Sequence, residues 1–156
     1  MDDMAVARAL HVLAVVWWIG GVAMVTTVIL PHARRLRRGT AEFEQMERPF
    51  ALQARVATLL AGISGFYMIV RFDLWDRFTQ VEYWWMHAMV AVWLLFTLVL
   101  FVAEPLFLDR WFRRRAAADP QGVLDLAQRF HWFMLALSVI TILGAVAGSH
   151  GLVLFN

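Results

Sequence analysis

Four long apolar runs, at residues 5–30, 50–70, 83–103 and 130–155, decide most of what this chain can become. A hydrocarbon core about 30 Å thick is crossed by roughly 20 residues of helix. Each run is long enough to do so. In lipid a single run of this length is viable only as helix, because an open strand leaves its backbone amides unpaired. The connections are short, so neighbouring helices are expected to run antiparallel. The sequence therefore predicts an all-α, integral membrane up-down four-helix bundle, one transmembrane domain over residues 1–156. Composition agrees: 62% of residues are hydrophobic, and the 17% that are charged fall in clumps between the runs.

The isoelectric point of 9.9 would suit nucleic acid, but the basic residues sit in short segments flanking apolar runs. Membrane topology accounts for that distribution, and no nucleic-acid partner is expected. All 14 basic side chains are Arg. The first loop carries Arg34, Arg35, Arg37, Arg38 and Arg48, and the third carries Arg110, Arg113, Arg114 and Arg115. The N-terminal tail and second loop hold only Arg8, Arg71 and Arg77. By the positive-inside rule, loops one and three face the cytoplasm of a bacterial inner membrane, with both termini periplasmic. Trp84, Trp85, Trp111 and Trp132 fall near the ends of runs, where an interfacial aromatic belt is expected. The start, "MDDMAVAR", is acidic where a secretory signal is positive, so the first run reads as a retained helix.

There is no cysteine. That removes disulfides, thiolate metal sites, iron–sulfur clusters and covalent haem attachment together. Any metal or cofactor falls to His, Met, Tyr or carboxylate.

Ionisable residues inside spans are rare and tend to be functional. His11 precedes Trp17 in the first run as His87 precedes Trp93 in the third, and Pro31 and Pro105 close these two runs ahead of the Arg clusters. His11 lies 20 residues before Pro31 and His87 lies 18 before Pro105. Those separations are about 30 and 27 Å of helix. His150 lies 20 residues past Phe130, again about 30 Å. Three imidazoles are thus expected near one level, close to the outer face, and they form a candidate metal site. A lone His near a span end is more often interfacial or hydrogen-bonded, and that reading stands beside it. Haem b, held non-covalently, suits the site better than a small ion, since it needs one or two neutral imidazoles and apolar walls. His11 and His87 are the first choice of axial ligands, across the bundle diagonal, with His150 third. Val90, Ala91 and Leu94 follow His87 on one face, Ala91 leaving room for a macrocycle; Val15, Trp18 and Val22 follow His11. Trp17 and Trp93 either flank the porphyrin or simply pack. Arg8 and Arg71 either pair with the propionates or reach to headgroups.

Gly144 and Gly148, four apart, form a close-packing pattern that would also bring His150 towards the iron. On the cytoplasmic side His32, His131 and Glu104 leave a second haem open. Gly62 and Gly65 predict close packing of the second helix, with Tyr67 a donor or a wall. Eight methionines invite copper as the alternative cofactor, since thioether and imidazole suit Cu(I). Met86 and Met89 flank His87, but no spaced Met series runs inside a span.

The run "LHVLAVVWWIGGVAM" resembles the first helix of the copper-resistance-D (CopD) type of bacterial membrane domain. "RVATLLAGISGFYMIVRFDLW" and "WWMHAMVAVWLLF" are similar to that group's next two helices. The likeness covers roughly residues 8–105 and implies a role in copper handling. More distantly, the chain resembles the HemJ-type protoporphyrinogen oxidase, a four-helix haem b membrane protein, which implies a haem-ligand role for His11. That family also relies on a lysine, and this chain has none.

The first expectation is therefore a b-type haem membrane protein for electron transfer or oxidoreduction. Its partners would be the lipid bilayer and a quinone, a porphyrinogen or a periplasmic redox protein. The alternatives are copper or metal-ion binding or transport, and a structural or accessory subunit of a larger membrane complex or homo-oligomer.

Overall fold

The computed structural model describes residues 3–36 and 40–152. Arg37 and Arg38 of the first basic loop, and residues 153–155 of the fourth run, lie outside the described residues. The described chain forms four long helices and no strand. Span 1 is Asp3–Arg35, span 2 Gln45–Arg71, span 3 Val81–Ala118 and span 4 Pro120–Ser149, all long and apolar enough to cross a membrane. The all-α, four-helix membrane architecture expected from the apolar runs is what forms. Span 1 packs most extensively on span 2, and span 3 on span 4, while spans 1 and 3 lie diagonally. The diagonal closes at the centre, where Trp18 meets Phe96 edge-on with ring centroids 4.7 Å apart.

The helices are longer than the apolar runs. Span 3 passes through Pro105 and the Arg cluster to Ala118. Charge moves a helix out of hydrocarbon but does not unwind it, and Ala116–Ala118 favour helix. Span 4 begins at Pro120, well before Phe130, because "DPQG" is a helix start. Asp119 is the N-cap, accepting from the Gly122 amide at 2.9 Å, and Pro120 takes the first turn, where no N–H is needed. At the other end the helix stops at Ser149, so His150 is its C-cap rather than a helical residue.

Both internal prolines of spans 1 and 3 are absorbed in the same way. Val25–Ile29, ahead of Pro31, and Leu98–Leu108, around Pro105, are π-helix. A proline ring clashes with the carbonyl four residues back and brings no N–H. Widening to the i→i−5 register relieves the clash. The register is visible where Leu30 N donates to Val25 O and Asp109 N to Glu104 O. It also leaves one carbonyl without a donor in each helix, five residues before the proline: Thr26 O and Leu100 O. A neighbouring span supplies the missing donor both times. Gln128 Nε2 of span 4 donates to Thr26 O at 2.8 Å, and Arg55 Nε of span 2 donates to Leu100 O at 3.3 Å. Without these donors each carbonyl would cost about 1–3 kcal/mol. Several hydroxyls inside the spans bond back to their own helix, as Thr26 does to Val22 O at 2.6 Å and Ser138 to Met134 O at 2.8 Å, whereas those of Thr58 and Thr97 are buried without a partner among the described residues.

Candidate functional site

His11, His87 and His150 all lie at one end of the bundle, where span 1 begins, span 3 begins and span 4 stops. His11 is turned inward, on the same side of span 1 as the buried Trp18 and Val22. Its ring rests on span 2 over Gly65, where an added Cβ would stand 3.2 Å from its Cε1. Its Nδ1 lies 3.0 Å from both Ala61 O and Ser64 Oγ. A carbonyl only accepts, so Nδ1 carries the proton. Ser64 Oγ spends its own proton on Leu60 O at 2.6 Å and receives the shared Nδ1–H. The neutral ring is then the tautomer whose lone pair is on Nε2, and Nε2 has no hydrogen-bond partner among the described residues. A metal-ligating imidazole is oriented in this manner, with one nitrogen tied to a carbonyl and the other left for the ion.

The other two imidazoles do not join it. His87 is exposed, as are Val90, Ala91 and Leu94 on the same side of span 3. Its ring stands edge-on to Phe78 of the second loop, centroids 5.3 Å apart. His150 is exposed too, with Nδ1 donating to Val146 O at 2.8 Å. Among the described residues no group of three His, Cys, Asp or Glu side chains could hold a metal ion. Depth along a helix was legible from residue counts, whereas the direction each ring points depends on how the helices are rotated against each other.

The glycine face of span 4 is filled by indoles, not by space near His150. A Cβ on Gly144 would stand 2.4 Å from Trp84, and one on Gly148 would stand 2.3 Å from Trp85. Trp84 and Trp85 therefore pack inside the bundle rather than forming the expected outer belt, while Trp111 and Trp132 are exposed as expected. Trp93 is held against Gly62 of span 2 and donates Nε1 to Thr58 O at 2.9 Å. Trp17 faces outward, and its carbonyl accepts from Gln53 Nε2 at 2.7 Å. Gly62 and Gly65 thus pack closely as expected, each beneath a ring. Tyr67 is exposed and meets Phe72 edge-on. Arg71 lies over the Phe72 ring, 5.8 Å from its centroid, and Arg8 is exposed.

Towards the Arg-rich end the spans line an open-sided cavity of about 630 Å³. All four contribute to its wall, through Val22, Ala54, Phe96, Leu100 and Met134 among others. Glu104 and His131 are among the few polar residues that line it. Glu104 pairs with Arg55 at 2.7 Å, the Arg that also caps Leu100 O. His131 donates Nδ1–H to Ala127 O at 2.9 Å, which again leaves Nε2 as the open nitrogen. His32 is exposed and is not part of this wall. Arg55 was missed in sequence although an Arg inside the apolar run 50–70 is itself a signal. Gln128 had no such signal, since its role appears only once the π-helix of span 1 leaves a carbonyl bare.

Comparison with protein-family models, with curated proteins and with solved structures returns no match.

Proposed function

We propose that this is a b-type haem-binding protein of the bacterial cytoplasmic membrane, working in electron transfer or oxidoreduction. One observation carries the reading: His11 is half-buried between spans 1 and 2 with its Nδ1 proton committed to Ala61 O and Ser64 Oγ. His11 offers the donor that haem takes, because a neutral imidazole with a free Nε2 is the form that ligates iron, and the rings packed beside it would have to part to admit the macrocycle. His11 would hold the iron, and His87 or His150, which lie at the same end but face outward, would have to turn in to add a second imidazole. Ser64 and Ala61 orient the ligand ring. Arg8 and Arg71 are the cations proposed for the propionates. Bound haem supplies reversible one-electron chemistry, while the protein supplies ligand, dry walls and access from the membrane. Both termini are proposed to be periplasmic, which puts the haem near the outer leaflet.

Purification in mild detergent, followed by oxidised and dithionite-reduced absorption spectra, tests this. The expected result is a Soret band and a b-type α band that His11→Ala abolishes. A Ser64→Ala protein should keep the bands and shift the midpoint potential, since it loosens only the orienting bond. A protein that stays colourless after haem supplementation overturns the proposal. Stoichiometric copper would then favour metal handling, and no metal at all would favour an accessory subunit.

A further inference from the structure

The haem proposal leaves the cavity at the Arg-rich end without a role. Its position is unusual for packing waste: every span contributes wall, and it has an apolar mouth. Four polar residues line it, Glu47 of span 2, Glu104 and Asp109 of span 3 and His131 of span 4. Asp109 is paired with Arg113 and Glu47 lies ahead of the apolar run 50–70, so Glu104 and His131 are the two that face the apolar part of the chamber. Phe107 and Trp111 of span 3 and Leu126 and Phe130 of span 4 both line the cavity and remain exposed. A molecule dissolved in the bilayer can therefore reach the cavity past apolar side chains of spans 3 and 4. At about 630 Å³ the space is in the usual range for a small-molecule site with mainly apolar walls and a few convergent polar groups.

Those polar groups state what the head of such a molecule must offer. His131 Nε2 is an acceptor, since Nδ1 spends the ring's proton on Ala127 O. The Glu104 carboxylate accepts, and Arg55 takes Oε1 at 2.7 Å without exhausting its lone pairs. Two acceptors on neighbouring helices in an apolar chamber match a flat ring with two O–H donors and a hydrocarbon tail. We propose that this cavity binds the head of a lipid-soluble quinol, a para-dihydroxy aromatic ring on an isoprenoid chain, with its hydroxyls donating to His131 and Glu104. The choice of a redox-active amphiphile rests on the electron-transfer reading above; the demand for a two-donor head in an apolar chamber does not. The site would place an electron donor in the half of the bundle opposite His11.

The test is anaerobic calorimetric titration of the full chain in mild detergent with a short-tail quinol and with its dimethyl ether, which lacks both donors. The quinol should bind saturably, one per chain, and the ether about tenfold more weakly, as loss of hydrogen bonds to half-buried acceptors implies. His131→Leu should weaken the quinol about tenfold and leave the ether unchanged. Ala103→Phe, which fills the chamber, should abolish both. Equal binding of quinol and ether to the unaltered protein overturns the proposal even if every variant misfolds, as does the absence of saturation. Spectra separate it from the haem reading. If His131→Leu removes the Soret band and His11→Ala does not, haem occupies this chamber and the quinol proposal falls. If no Soret band is ever seen and the quinol still binds, the haem reading falls and this site stands.

Discussion

At the His11 end, glycines of spans 2 and 4 receive rings from the neighbouring helices, Gly62 under Trp93, Gly65 under His11, Gly144 under Trp84 and Gly148 under Trp85. Towards the Arg-rich end, prolines widen spans 1 and 3 into π-helix, and the four spans stand apart around a cavity of about 630 Å³. The first region solves its packing with small residues that admit large flat ones. The second cannot, because each proline takes away an N–H and so commits a polar side chain from next door. Gln128 and Arg55 are those side chains. Close packing by glycine needs no polar group and leaves no void. Repair of a proline needs a donor reaching across the bundle and leaves a place a ligand can use.

The contrast is broken hardest at Arg55. Arg55→Met strips Leu100 O of its donor and leaves the Glu104 charge without a partner in an apolar setting. We expect a loss of roughly 3 kcal/mol, measured by chemical unfolding in detergent. Adding Glu104→Gln should recover part of it, and no recovery would mean that the carbonyl, not the ion pair, dominates.

Gly62→Ala comes next. Its Cβ would meet Trp93 at 2.6 Å, and a rigid indole held by a hydrogen bond to Thr58 O cannot slip aside. A loss of about 2 kcal/mol is expected. Gly20→Ala is the control, since its Cβ would meet nothing within 4 Å. It should cost no more than about 0.5 kcal/mol. Equal losses in the two variants would show that ring seating is not what tightens this end.

The smallest effect sharpens the account of the prolines. Gln128→Leu should cost about 1 kcal/mol by exposing Thr26 O to hydrocarbon. On a Pro31→Ala background residue 31 regains its N–H, so the same change should cost less. A double-mutant cycle reads the difference, and strict additivity would sink the idea that Gln128 answers Pro31.

Much of this was legible in the chain and some was not. The four runs specified helices in lipid because no other structure closes its backbone bonds over such lengths. Their ends were less visible, since Asp119 and Pro120 start span 4 in a polar stretch that hydropathy ignores, and π-helix carries span 3 past Pro105. The shared level of His11, His87 and His150 followed from counting residues. Their separation did not, as His87 turns out towards Phe78 while His11 turns in towards Ala61 and Ser64.

What sequence alone determined was how many helices are apolar enough to cross and at what depth each side chain rides, because rise per residue is fixed by the backbone. The tertiary structure decided which way each helix is rotated. That rotation is set by which glycine accepts which ring and which donor reaches which bare carbonyl, contacts between residues far apart in the chain. It is why one imidazole of three turns inward while the cavity lined by all four spans lies at the other end.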